Sequence, residues 1–272
     1  MKMNKIAFIG AGSMAEAVFA GLIQTNFIDK QQIYVSNKEN EARLEEIRQK
    51  YGVNGTTNKK EAIKDADIVF LAMKPHDMEH ALIEIKDYVE TDQLFISVIA
   101  GKSTSFIQEV LGKEVAVIRS MPNTSATIGQ SATAIAKGAF ATDQDIQIAE
   151  KIFASIGTVT VVEEEEMHIV TAISGSGPAY MYYIVEAMEK AAMEAGLTKE
   201  TAQQLIAQTL IGAGNMLQQS ELSPSQLRIN VTSPNGTTAA GLEALQAYKV
   251  DEGFIACVHR AKERSEQLGK EQ

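Results

Sequence analysis

The sequence is poor in cysteine: its 272 residues include one, Cys257, and they include no tryptophan. One cysteine excludes an intrachain disulfide, and no histidine or cysteine cluster has the spacing of metal ligands, so we expect no bound metal. No apolar run approaches the roughly 20 residues that a membrane span needs, and the N-terminus has no signal-peptide pattern. These absences predict a cytoplasmic protein.

Positive charge is also scarce, since the formal net charge is −10. Such a balance argues against a nucleic-acid backbone and against an anionic membrane surface as partners. Hydrophobic residues make up 45% of the chain and charged residues 22%, which is typical of a fully folded globular protein. The length allows one large domain or two moderate ones.

Short β-branched runs alternate with helical patterns over residues 1–162, which predicts βαβ units and a parallel sheet. Several runs, such as Ile68–Met73, are apolar without alternation, as expected of strands that helices cover on both faces. We therefore expect an α/β, Rossmann-like, doubly wound sheet. Its seven expected strands are Lys5–Ile9, Gln32–Ser36, Ile68–Met73, Leu94–Ile99, Val115–Arg119, Ala132–Ala136 and Thr158–Val162.

Residues 163–272 contain no further β-rich run, and helical periodicity predicts a second, all-helical domain. Its first helix would run from Met167 to Ala195, about 29 residues, and end at the C-cap Gly196. That length exceeds what a domain of this size needs to cover itself, so we expect the domain to dimerise, with a compact monomeric bundle as the alternative. Later helices are expected over Thr201–Gln219, from Ser223-Pro224, from near Thr237, and over Asp251–Leu268.

The most informative motif is Gly10-Ala11-Gly12-Ser13-Met14-Ala15, which lies between the first strand and the first helix. The first helical N–H groups have no partner there and can bind a pyrophosphate. Gly10 allows the tight turn, Gly12 allows close approach to phosphate, and Ala15 allows the helix to pack on the strand. Residues 9–14 are therefore predicted to bind a dinucleotide.

The second strand ends in Ser36-Asn37-Lys38, where NAD sites place an acidic residue. A hydroxyl, an amide and an ammonium can all donate to a 2′-phosphate, whereas a carboxylate would repel it. The residues thus favour NADPH. Glu39 leaves an alternative open, because it would reach the ribose if the strand ended later than expected.

Further polar loops follow the strands at the carboxyl edge of the sheet, where ligands of open α/β folds bind. Ala72-Met73-Lys74-Pro75 and Val98-Ile99-Ala100 are expected to line the cofactor. In the helical domain, Ser174–Tyr180 puts two glycines and a proline inside a helical pattern, which predicts a kink. Val231–Thr238 is a loop of hydroxyl and turn residues that opens into a helix, and this helix start could bind a carboxylate.

Taken in order along the chain, these motifs resemble the pyrroline-5-carboxylate reductase family over essentially the whole length. The resemblance implies NADPH-dependent reduction of 1-pyrroline-5-carboxylate to L-proline, the final step of proline biosynthesis. It also implies a homodimer, which could assemble further, with active sites completed from both subunits.

The resemblance also assigns residues. It implies cofactor contacts at Ser36, Asn58, Ala72 to Pro75 and Asn230, in addition to those expected from the residues themselves. It implies that Ser233, Gly236, Thr237 and Thr238 hold the substrate, with Thr238 as the proton relay and Glu164 as a substrate-proximal acid. The full predicted cofactor set is Ile9, Gly10, Ala11, Gly12, Ser13, Met14, Ser36, Asn37, Lys38, Asn58, Ala72, Met73, Lys74, Pro75, Val98, Ile99, Ala100 and Asn230.

Two other functions stay open at this point. A related NADP-dependent oxidoreductase could act on another imine or on a hydroxy acid, although hydroxy-acid enzymes usually carry a lysine on the long interdomain helix and Met167–Glu189 has none. A regulatory paralogue could bind NADP without catalysis, which Ser233-Pro234 and Thr237-Thr238 argue against.

Overall fold

The protein is described by a computed structural model over residues 3–270. Its first part is built on one eight-stranded sheet. Most strands are short apolar segments that are buried along their length, as the sequence predicts for a sheet between two helical layers. The strands are β1 (Ile6–Ile9), β2 (Ile33–Ser36), β3 (Asn54–Thr56), β4 (Ile68–Leu71), β5 (Leu94–Ser97), β6 (Ala116–Met121), β7 (Ser131–Lys137) and β8 (Gly157–Val161).

The strand order is β3-β2-β1-β4-β5-β6-β7-β8, so the chain runs outward from β1 in both directions. Strands β1 to β6 are parallel, and β1 pairs with both β2 and β4. The crevice beside β1, where the direction of winding reverses, is the ligand-binding position of open α/β sheets. The predicted doubly wound, Rossmann-like sheet is confirmed.

Two features of the sheet differ from the prediction. Strand β7 runs antiparallel to β6, because the nine residues between them are too few for a crossover helix. Strand β3 was not predicted, because its Asn54-Gly55-Thr56 lacks the apolar side chains of the other strands; among the described strands it pairs only with β2, at the sheet edge.

Helices cover both faces of the sheet, and each face carries a large apolar core. Phe8 stacks on Phe70 in one core, and Val69 and Phe95 belong to the other. The helices of this part are α1 (Ser13–Gln24), α2 (Glu41–Tyr51), α3 (Lys59–Ile63), α4 (Met78–Ile85), α5 (Thr104–Leu111) and α6 (Asp143–Phe153).

The remaining helices are α7 (Met167–Val170), α8 (Gly177–Glu194), α9 (Lys199–Gln219), α10 (Pro224–Asn230), α11 (Thr237–Ala247) and α12 (Val250–Lys270). The expected continuous helix over 167–195 is interrupted by a π-helical turn, Thr171–Gly175, in which the Ser176 amide donates to the Thr171 carbonyl at 2.9 Å. Glycine and proline in Ser174–Tyr180 explain the interruption, so the predicted kink is present. Ser223 caps α10 and Gly196 ends α8 in a left-handed turn, as expected.

The described chain divides into two compact units. One comprises the described part of residues 1–178 and 259–272, and the other comprises residues 179–258. The boundary between a cofactor-binding domain and a helical domain at residues 162 and 163 stays a prediction. None of the helices within residues 3–270 is long and apolar enough to cross a membrane.

Candidate active site

Four loops meet at the carboxyl edge of the sheet, after β1, β2, β4 and β5. The Gly10 amide donates to the Ser36 carbonyl at 2.9 Å, and the Ala72 amide donates to Ile9 at 2.9 Å. The Val98 amide donates to the last residue of β4 at 3.1 Å. Sheet hydrogen bonds thus continue past the strand ends and bring together the predicted cofactor loops of the first compact unit.

The glycine turn begins with a backbone that only glycine can adopt without strain. Gly10 has φ +115°, and a Cβ at this position would lie 2.4 Å from the Ala72 carbonyl oxygen. The turn after β1 therefore packs directly on the loop after β4, backbone against backbone. This close approach fixes the position at which α1 begins.

The start of α1 leaves room for a ligand. Gly12 is the N-cap and offers no side-chain hydrogen bond, so the first amides of the helix have no acceptor in the helix itself. A Cβ at Gly12 would meet no atom within 4 Å. Glycine at this position is thus not required by packing, and the open space and the amides of Ser13 and Met14 fit a bound pyrophosphate.

A side-chain cluster holds the glycine turn from the adjacent helix α2. Arg43 Nε donates to the Ala11 carbonyl at 3.1 Å, and the guanidinium also pairs with Glu16 on α1. Although partial burial by itself raises the pKa of Glu16, hydrogen bonds from Tyr51, Lys50 and Arg43 outweigh it and lower the pKa to about 2. Glu16 therefore stays ionised, and α1 and α2 are tied together beside the cofactor turn. Sequence reasoning missed this cluster, because its members are spaced irregularly along the chain.

The end of β2 carries the side chains that are predicted to bind the 2′-phosphate. Strand β2 ends at Ser36 as expected, which leaves Glu39 beyond the strand end. Ser36 is 1% exposed, and its hydroxyl has no hydrogen-bond partner among residues 3–270. A buried hydroxyl without a partner at this edge fits a residue that completes its hydrogen bonds on a ligand. Asn37 Oδ1 accepts hydrogen bonds from two backbone amides, and Lys38 is exposed.

Asn58 has a structural contact of its own. Its side chain accepts from the Lys60 amide at 3.1 Å and from the Glu61 amide at 3.5 Å, and it caps the short helix α3. The cap explains why an asparagine stands at this position whether or not it also contacts a cofactor.

The loops after β4 and β5 differ in exposure. Ala72 and Met73 are half-buried, whereas Lys74 and Pro75 are exposed at a 3-10 turn that Pro75 begins. In the second loop, Ile99 is buried between the half-buried Val98 and Ala100. The first loop packs on the glycine turn at Gly10, and the Val98 amide joins the second loop to the end of β4, so the sheet brings these predicted cofactor residues together.

The predicted substrate residues cluster at the start of α11 in the second compact unit. Asn235 has φ +59°, and the Gly236 amide donates to the Ser233 carbonyl at 3.0 Å, which closes a turn before the helix. Gly236 is the N-cap without a side-chain cap bond. The first amides of α11 therefore have no acceptor in the helix, and Thr238, which is half-buried, lies in the first turn. Such an arrangement suits a carboxylate.

Asn230, the predicted cofactor residue outside the sheet, lies in the second compact unit. It is the last residue of α10, and its Oδ1 accepts from Gln226 at 2.9 Å.

Glu164 makes contacts that the sequence does not reveal. Its carboxylate accepts from the Thr104 amide at 2.8 Å and from the Thr104 hydroxyl at 2.6 Å, at the N-terminus of α5. It also lies 3.4 Å from the Arg119 guanidinium, which is 2% exposed. Burial lowers the pKa of Arg119, and the Glu164 charge opposes that shift. A charged residue within the apolar strand β6 was the available signal that a buried partner is needed.

Comparison with known proteins bears on the identity of this arrangement. Residues 164–268 match the family described as "Pyrroline-5-carboxylate reductase dimerisation", and residues 5–101 match the one described as "NADP oxidoreductase coenzyme F420-dependent". The chain is 47% identical over 270 residues to pyrroline-5-carboxylate reductase 2 of Bacillus subtilis, covering 99% of this chain and 96% of that protein. The chain belongs to the pyrroline-5-carboxylate reductase family.

Other members of the family agree along the whole chain. Pyrroline-5-carboxylate reductase 1 of Bacillus subtilis is 45% identical over 268 residues, covering 98% of this chain and 90% of that one. The solved structure of a pyrroline-5-carboxylate reductase from Coxiella burnetii is 37% identical with a TM-score of 0.91, covering 98% and 99% of the two chains. A Plasmodium falciparum pyrroline carboxylate reductase, solved with NADP bound, is 29% identical with a TM-score of 0.89 and covers 98% of each chain.

Proposed function

We propose that the chain reduces 1-pyrroline-5-carboxylate to L-proline with NADPH, as the final step of proline biosynthesis. Membership of the family, at 47% identity to a reductase of that name over nearly the whole chain, is the observation that carries the proposal. The glycine turn at the carboxyl edge of the sheet and the helix start at Thr237 supply the two kinds of binding group that the reaction needs.

NADPH is proposed to bind across the loops after β1, β2, β4 and β5. The amides of Ser13 and Met14 would hold the pyrophosphate, and the buried Ser36 hydroxyl, Asn37 and Lys38 would donate to the 2′-phosphate. The remaining proposed contacts are Asn58, Ala72 to Pro75, Val98 to Ala100 and Asn230. The NADP-bound Plasmodium falciparum relative supports this choice of cofactor.

The substrate is proposed to bind at the start of α11. Ser233, Gly236 and Thr237 would hold its carboxylate, which the unpaired amides of the first helical turn favour. Glu164 remains a proposed substrate-proximal acid, and its bonds to Thr104 limit how far it can move.

The reaction depends mainly on how the cofactor and the imine are positioned relative to each other. When bound, NADPH supplies a hydride, and the carbon of the protonated cyclic imine accepts it without a strong acid or base beside it. The hydride and the proton on nitrogen together convert the C=N bond into the amine of proline. Thr238 is proposed to hydrogen-bond the ring nitrogen and to control its proton, while the loops and the helix start align the two reactants.

We further propose a homodimer, which could assemble further, in the cytoplasm. Support comes from the match of residues 164–268 to the family's dimerisation domain and from apolar side chains that the single chain leaves exposed. Neither nucleic acid nor a membrane is expected as a partner.

The test follows the NADPH concentration by absorbance in three reactions run side by side. Purified protein is given NADPH with 1-pyrroline-5-carboxylate, NADP with a hydroxy acid, and NADPH alone. Turnover only in the first reaction supports the proposal. Turnover with the hydroxy acid instead identifies a related oxidoreductase, and turnover with neither identifies a protein that binds NADP without catalysis.

A further inference from the structure

The loop between β5 and α5, residues 98–103, is held from outside the sheet by the C-terminal turn of α12. Val98, Ile99 and Ala100 of this loop are proposed to contact the cofactor, so the inference rests on the proposed function. Both the loop and residues 259–270 belong to the same compact unit.

The contact between the loop and α12 brings the backbone of Gly101 against Leu268 and Gly269. Gly101 is buried with φ +84°, and a Cβ there would lie 3.2 Å from the Gly269 amide nitrogen. A Cβ at Gly269 would lie 2.7 Å from the Gly101 carbonyl oxygen, closer than Cβ atoms approach backbone. Any side chain at Gly269 would therefore displace the loop or the helix end.

A part-buried hydrogen bond fixes the last turns of α12 in place. Ser265 is 3% exposed, and its Oγ lies 2.9 Å from His168 Nδ1 on α7. The same imidazole ring comes within 3.6 Å of the Cβ position at Gly269. The helix end is thus anchored one turn before the point at which it touches the loop.

The far end of the loop is held independently. Thr104, the first residue of α5, gives both its amide and its hydroxyl to Glu164. The loop is consequently fixed at Thr104 by one contact and at Gly101 by another, and only the second depends on α12.

We propose that Gly269 is a positioning residue, which sets the loop of Val98 to Gly101 against the bound cofactor through its backbone contact with Gly101. A Cβ added at Gly269 would meet the Gly101 carbonyl oxygen, so we expect such a change to alter the position of the loop more than the stability of the fold. A misplacement of about 1 Å beside reacting groups is enough to slow a reaction greatly.

The variant Gly269→Ala tests the proposal, with Gly253→Ala on the same helix as the matched control, because a Cβ at Gly253 meets no atom within 4 Å. Both changes add the same methyl group and both favour helix. We expect kcat of Gly269→Ala to fall about tenfold while the KM for 1-pyrroline-5-carboxylate stays within about twofold of wild type. Gly253→Ala should match wild type in both constants.

Hydrogen exchange of the backbone amides from Ile99 to Lys102 gives a second measurement. A purely structural role of Gly269 would not speed exchange in this loop alone. Exchange there should be faster in Gly269→Ala than in Gly253→Ala, with the glycine turn unchanged. A kcat within twofold of wild type for Gly269→Ala would overturn the proposal, as would a loss of activity that only follows a loss of folded protein.

If Gly269→Ala does not fold, Ser265→Ala tests the same anchor without added bulk. Its kcat should fall about threefold with little change in KM, a smaller effect than that of Gly269→Ala because no added atom is pushed against the loop. Wild-type kcat in folded Ser265→Ala would then contradict the proposal. Wild-type protein that does not turn over 1-pyrroline-5-carboxylate in the same assay would instead overturn the proposed function.

Discussion

Thr238 carries the proposed proton step, and its place in the first turn of α11 gives a direct residue-scale test. A neutral hydroxyl that bonds a charged ring nitrogen contributes about 1.5–3 kcal/mol, so Thr238→Ala should lower kcat by about 10- to 100-fold. NADPH affinity should stay near wild type, because all the proposed cofactor residues apart from Asn230 belong to the first compact unit, whereas Thr238 belongs to the second. Stopped-flow turnover and fluorescence titration of NADPH separate the two effects.

Thr238→Ser is the matched control for that variant, because it keeps the hydroxyl and removes only a methyl group. It should recover most of the turnover. Unchanged turnover in Thr238→Ala would remove Thr238 from the mechanism.

Residue roles were only partly accessible from the sequence. Ser36 could be predicted as a cofactor residue because the end of a strand is a local property, and the structure leaves its hydroxyl without a partner among residues 3–270. The contacts of Glu164 with Thr104 span 60 positions, and no local pattern records such a pairing. The sequence also gave no sign that Arg43 reaches the Ala11 carbonyl, because that bond depends on how α2 packs beside α1.

At the scale of elements, the start of α1 is the most specific feature of the proposed cofactor site. Gly12→Ala adds a methyl group to open space, so we expect the fold to be preserved, with a melting temperature within a few degrees of wild type. The methyl would occupy the space proposed for phosphate. NADPH binding should therefore weaken by at least about tenfold, measured by fluorescence titration.

Gly241→Ala on α11 serves as its control, because a Cβ there also meets no atom within 4 Å and the position lies outside the proposed site. Equal NADPH affinity in the two variants would show that Gly12 does not adjoin the phosphate. A large loss of thermal stability in Gly12→Ala alone would point to a structural role instead.

Elements with strong local signals were predicted well, and those set by tertiary context were not. Apolar β1, β4 and β5 were visible as uninterrupted runs, whereas β3 is polar and exists only because β2 offers it an edge. The direction of β7 follows from the length of the connection before it. The helix from Met167 was drawn too long, since periodicity cannot show where a helix changes to a π turn.

At the scale of the whole molecule, the second compact unit leaves apolar surface uncovered. Tyr183 is 76% exposed, Ile211 is 56% exposed and Tyr248 is 84% exposed. Glycines 212 and 214 of α9 would also carry a Cβ without meeting any atom within 4 Å, although glycine pairs in helices often allow another backbone to approach. A second copy of the chain is the proposed cover.

Light scattering after size-exclusion chromatography tests this assembly. The wild-type protein should have at least twice the mass of one chain, and Ile211→Glu should shift the population toward the monomer, because it would bury a charge at the interface. Glu200→Gln, a polar change on the same helix, should leave the mass unchanged. A wild-type protein that stays monomeric at micromolar concentration would contradict the proposed homodimer.

The proposed reaction of this chain is the transfer of a hydride from NADPH to a cyclic imine that carries a carboxylate. The most direct measurement follows NADPH oxidation by absorbance and proline formation by amino-acid analysis in one reaction with 1-pyrroline-5-carboxylate. We expect one proline for each NADPH oxidised, and a higher kcat/KM with NADPH than with NADH. Absence of proline, or oxidation of NADPH that does not depend on the imine, would contradict it.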